Sequence, residues 1–108
     1  MGSGKYASCN VAGDGKLYTE NNNKSEKFKI IDMSAAGIRL ETPVVLQEDT
    51  RVKLKIRLIG GPVDAHMDIN GKVIRWLEKG YEIEFVDLSD NDREEIDELM
   101  RNTCNIEE

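Results

Sequence analysis

The 108-residue sequence predicts an all-β domain, a small antiparallel barrel or sandwich, that ends in one amphipathic α-helix. Two patterns and one spacing carry that prediction. In "RVKLKIRL", residues 51–58, Val52, Leu54, Ile56 and Leu58 alternate with Arg51, Lys53, Lys55 and Arg57, the period of two expected of a strand with one buried face. Toward the end of the chain the period changes, and Ile96, Leu99, Met100 and Cys104 recur at helical spacing. Between these, turn-forming residues divide the chain into about six short strands at regular spacing, which favours antiparallel pairing over a parallel sheet.

The elements follow in order. "GKLYTE" and "EKFKII" flank the polar loop "NNNKS" and read as the first two strands. "GIRLE" at 37–41 is a third, and "RVKLKIRL" a fourth. "GGP" at 60–62 breaks the chain, and "HMDINGKVIRW" supplies a fifth strand, interrupted or bent near Asn70 and Gly71. "YEIEFVD" alternates again, with Tyr81, Ile83 and Phe85 inward and Glu82 and Glu84 outward. Ser89 then stands where an N-cap is needed, and Asp90 and Asp92 suit the positive end of the helix dipole. The helix is expected to lie across one opening of the barrel.

Length and composition bound the function. Residues 1–4, "MGSG", read as a cloning scar, residues 5–104 as the single domain and 105–108 as a C-terminal tail. With 15 Lys and Arg against 21 Asp and Glu, the net charge of −6 argues against DNA, RNA or anionic membranes as partners recruited by overall charge. No apolar run is long enough to span a bilayer, so a cytoplasmic protein without direct membrane insertion is expected. Cys9 and Cys104 fit neither a redox pair nor a zinc site and read as reduced thiols. His66, the single histidine, has no nucleophile motif or partnered carboxylate near it in sequence, which argues against an enzyme and makes it a bystander. "DLSDND" at 87–92 lacks the Gly and closing Glu of a calcium loop, and helix capping accounts for its acids. The basic stripe Arg51, Lys53, Lys55 and Arg57 reads as a solvated strand face, with an anionic ligand or acidic partner as its functional alternative.

One stretch asks for more. In "IDMSAAGIRLE" a strand runs into Asp32-x-Ser34-x-x-Gly37 and resumes at once, where a simple hairpin needs only a two-residue turn. A carboxylate accepts hydrogen bonds from N–H groups, a hydroxyl can donate to an anion, and a glycine permits positive φ or close approach of a ligand. A capped turn explains the same residues without a ligand.

Asp32-x-Ser34-x-x-Gly37 between two strands, followed by alternating strands and by "YEIEFVDLSDNDREEIDELM" passing from last strand into helix, resembles the PilZ domain over residues 8–104. That resemblance implies a six-stranded antiparallel β-barrel with a C-terminal helix, serving as a non-enzymatic receptor for the bacterial second messenger cyclic di-GMP. It implies no cofactor beyond that candidate ligand, and as partner a protein of a motility, pilus or exopolysaccharide system. Asp32 and Ser34 match the family residues that contact guanine and phosphate, and Gly37 the residue that shapes the turn around the ligand.

Two positions depart from the family pattern. The family's Arg-x-x-x-Arg precedes the first strand, where this chain reads "GKYASCN" and offers Lys5 as its only cation, with Cys9 four residues on. Glu82 stands where the family often has glycine. A charge-assisted hydrogen bond contributes about 1.5–3 kcal/mol, so absence of both arginines removes ~3–6 kcal/mol. That corresponds to roughly two to four orders of magnitude in affinity. Lys5 is a point charge without the planar fork of a guanidinium, so the expectation is cyclic di-GMP binding that is weak or lost. The alternatives are an adaptor acting only through protein contact and, more remotely, a small metal-dependent hydrolase.

Overall fold

The computed structural model describes residues 12–19, 25–59 and 65–103. Lys5, Cys9, Cys104, the "GGP" break and most of the "NNNKS" loop lie outside the described residues. Six strands are present: β1 (Gly13–Thr19), β2 (Glu26–Met33), β3 (Gly37–Glu41), β4 (Arg51–Leu58), β5 (Ala65–Leu77) and β6 (Gly80–Val86), followed by helix α1 (Asp90–Thr103). All pairings are antiparallel, and the strands close into a barrel in the order β1-β2-β3-β6-β5-β4. The fold is therefore the six-stranded antiparallel barrel with one C-terminal helix that the resemblance implied.

The alternation in β4 is fully realised: Val52, Leu54, Ile56 and Leu58 are buried while the four cations between them are exposed. Leu17, Phe28, Ile38, Leu40, Val73, Ile83 and Phe85 meet them in one core cluster, so the barrel interior is filled by side chains. Ile96 and Met100 of α1 join the same cluster. Ser89 caps that helix, its Oγ accepting from the Asp92 N–H at 3.0 Å while its carbonyl accepts from the Arg93 N–H at 2.9 Å. No helix among the described residues is long and apolar enough to cross a membrane.

Strand β5 is not interrupted where the sequence offered a break. It runs unbroken through Asn70 and Gly71, and the irregularity falls further on, where the register with β6 shifts between Val73 and Arg75. Gly71 serves packing instead: a Cβ there would stand 2.5 Å from the Ile83 side chain. The β3–β4 connection is tied to the barrel by two aromatic side chains from β5 and β6. Tyr81 donates its hydroxyl to the Val44 carbonyl at 3.1 Å and accepts from the Leu46 N–H at 2.9 Å, and Trp76 Nε1 donates to the Leu46 carbonyl at 3.0 Å.

Candidate functional site

The site begins with a bulge. Phe28 and Ile30 set an inward phase in β2 that would carry Asp32 into the core if alternation continued. The register with β3 shifts between Ile30 and Asp32, so the chain gains one residue there. Asp32 turns outward to face Arg39, and Met33 becomes fully buried. The Arg39 Nε lies 3.1 Å from Asp32 Oδ1, with the Asp32 side chain only 17% exposed.

A second bulge does the same on the far side. In β5 the inward phase of Ile69, Gly71 and Val73 would send Arg75 inward, but the shift after Val73 re-aims it to pair with Glu82 of β6. Arg75 Nε lies 3.1 Å from Glu82 Oε1. Since Arg39 is the β3 partner of that same Glu82, the residues Asp32, Arg39, Glu82 and Arg75 form one row of alternating charge across β2, β3, β6 and β5. Opposite charges facing each other across strands are favourable neighbours. Glu82, a departure from the family pattern by sequence, is the third member of this row.

The corner beside the row is a tight, internally bonded turn. The Ser34 N–H donates to the Gly37 carbonyl at 2.9 Å, and Ser34 Oγ accepts from the Ala36 N–H at 3.0 Å. The Phe85 N–H donates to the Ala36 carbonyl at 3.0 Å. Arg93 of α1 reaches over and donates Nη1 to the Ala35 carbonyl at 2.9 Å, so the helix is fastened to the corner. The Ser34 hydroxyl, having accepted one bond, retains its own O–H for donation.

Gly37 has a reason other than turn conformation. A Cβ at this position would stand 2.4 Å from the Ile83 carbonyl oxygen, so the absent side chain lets β3 approach β6. Its φ lies outside the left-handed region, which among non-glycine described residues only Asp49 and Asp87 occupy. The close approach anticipated at Gly37 is thus made by a neighbouring strand.

Asp32, Ser34 and Gly37 are brought together at one end of the β2–β3 hairpin, whereas Lys5 lies outside the described residues. Sequence reasoning missed Arg39 and Arg93. Arg39 was legible in principle, because a hairpin turning at 34–36 sets residues near 32 and 39 opposite each other. The reach of Arg93 to the corner depends on helix docking and has no local signal. His66 is exposed and opposite Arg57, and among the described residues no group of three or more His, Cys, Asp or Glu could hold a metal ion.

The PilZ domain family model matches residues 9–102. The chain is similar to a Bacillus subtilis inhibitor of motility (MotI/DgrA), with 16% identity, a TM-score of 0.76, and coverage of 96% of this chain and 53% of that one. It thus spans about half of the Bacillus chain, at 53%. It is also similar to the PilZ domain of YcgR from Escherichia coli, a structure with c-di-GMP, at 15% identity and a TM-score of 0.70, covering 94% of this chain and 91% of that one. No curated protein matches.

Proposed function

The chain belongs to the PilZ domain family, of non-enzymatic cyclic di-GMP receptors, and from that premise we propose that its regulatory ligand contacts the barrel at the 34–37 corner and the charge row beside it. The observation that carries this reading is the β2 bulge, which turns Asp32 outward next to the spare O–H of Ser34. A carboxylate can accept from the N1–H and N2–H of guanine, and a hydroxyl can donate to phosphate. Gly37 lets β3 close against β6 at the edge of the corner, and Lys5 supplies the cation of the preceding arm.

Binding in this reading is weak. The arm lacks the arginine pair, and the Asp32 carboxylate already holds Arg39, so guanine must compete for it. The biological role is a cytoplasmic signalling domain that acts on a protein of a motility, pilus or exopolysaccharide system. The Bacillus relative, by its name an inhibitor of motility, favours the first of these.

One set of observations supports a second reading, an adaptor that no longer uses nucleotide. Asp32 pairs with Arg39, Ser34 closes its own turn and Gly37 admits β6, so each has a structural occupation. Titration of isotopically labelled protein with cyclic di-GMP, followed through backbone amide shifts, separates the two. Saturable shifts concentrated at residues 4–10 and 32–38 support the receptor reading. An unchanged spectrum up to about millimolar ligand, the regime of the weakest complexes, overturns it in favour of the adaptor.

A further inference from the structure

The opposite side of the barrel carries a row of like charges that its own strands only partly offset. Lys27 of β2 faces Lys16 of β1, and Lys16 in turn faces Lys55 of β4, which sets three lysines in one row across three adjacent strands before the row ends on Asp68 of β5, opposite Lys55. Like charges directly opposite one another destabilise a sheet. All three are exposed, and among the described residues none has a carboxylate within ion-pairing distance. Asp14, the nearest acid on β1, is already engaged by Arg57 through two hydrogen bonds of 3.3 Å. The row borders an open depression of about 450 Å³. Lys55 Nζ lies 6.0 Å from the centroid of the Tyr18 ring, but in a chain with a net charge of −6 a row of three lysines with no ion-pair partner among the described residues stands out.

The same chain carries its electrostatic complement. Asp90, Glu94 and Glu98 lie at i, i+4 and i+8 of α1, all exposed and, among the described residues, all without an ion-pair partner. At 1.5 Å per residue these three carboxylates span about 12 Å along the helix. Three lysines on neighbouring strands at about 4.8 Å spacing span about 10 Å across the sheet, with side chains long enough to absorb the difference.

We propose that the Lys27–Lys16–Lys55 row is a docking surface for the acidic stripe Asp90–Glu94–Glu98 of a second copy of this chain. Stripe and row reside on every copy, so a reciprocal pair contains two such contacts related by a two-fold axis. Exposed ion pairs are individually weak and screened by salt, so association is reversible and confined to low ionic strength.

Sedimentation equilibrium of the full chain tests this at about 50 mM and about 500 mM NaCl, which shortens the screening length severalfold. The wild type is expected to approach the mass of two chains at the lower salt and one chain at the higher. Lys16→Glu/Lys55→Glu and Glu94→Lys/Glu98→Lys are each expected to be monomeric at both. An equimolar mixture of the two variants regains the dimer, because one contact is native and the other is its charge-reversed image; this recovery also shows that both variants are folded. A wild type that stays monomeric at low salt, a dimer indifferent to salt, or variants that dimerise alone would each overturn the proposal. If the lysine face instead binds only an acidic peptide of foreign sequence, the second copy is excluded as its occupant.

Discussion

At the level of single residues, Gly37 and Ser34 both shape the corner by what they leave for neighbouring backbone atoms. Gly37→Ala drives a Cβ onto the Ile83 carbonyl, a backbone atom that cannot swing aside, and is expected to cost about 1–3 kcal/mol in urea unfolding. Ser34→Ala removes the acceptor for the Ala36 N–H and is expected to cost about 1 kcal/mol by the same measurement. Asp32→Ala breaks a single ion pair whose guanidinium partner, Arg39, is half-exposed, and is expected to cost about 1 kcal/mol or less. A loss of signalling output by Asp32→Ala without loss of stability therefore speaks for ligand contact. The motif itself was legible in the sequence, as was the need for glycine at position 37. The identity of what approaches Gly37 was not, since β6 lies more than forty residues further along the chain.

At the level of elements, strand β4 and helix α1 declare themselves because each keeps a single period from end to end. Ser89→Ala is expected to destabilise the protein by about 1 kcal/mol through loss of the cap on the Asp92 N–H. Met100→Ala, at a fully buried position where the helix meets the barrel, is expected to cost about 2–5 kcal/mol, so thermal unfolding should rank it well below the cap variant. The two bulges were not legible. "KIIDM" and "KVIRWL" each place apolar residues side by side, so an alternation of two has no unique phase there, and the extra residue can be seen only once the partner strand fixes the register. The alternating row from Asp32 to Arg75 was invisible for the same reason, because two of its four members face outward only by virtue of those bulges.

For the molecule as a whole, fold class and family were open to a sequence reading, while the separation of charge between faces emerged only from the closed topology. The barrel brings Lys16 and Lys27 together through one hairpin and Lys16 and Lys55 together through a pairing of strands distant in sequence. That closure has a consequence in time. Joining β1 to β4 and β3 to β6 requires long loops to close before the contacts reward them, which places folding in the slow, millisecond-to-second class of β-rich domains. Until the seams form, the chain carries unpaired strand edges that the finished barrel lacks, and every encounter with another unfolded copy during that interval is an opportunity for misassembly. Stopped-flow refolding should therefore slow when Leu17, buried beside the β1–β4 seam, is truncated to Ala, and the yield of native protein should fall with chain concentration as that interval lengthens.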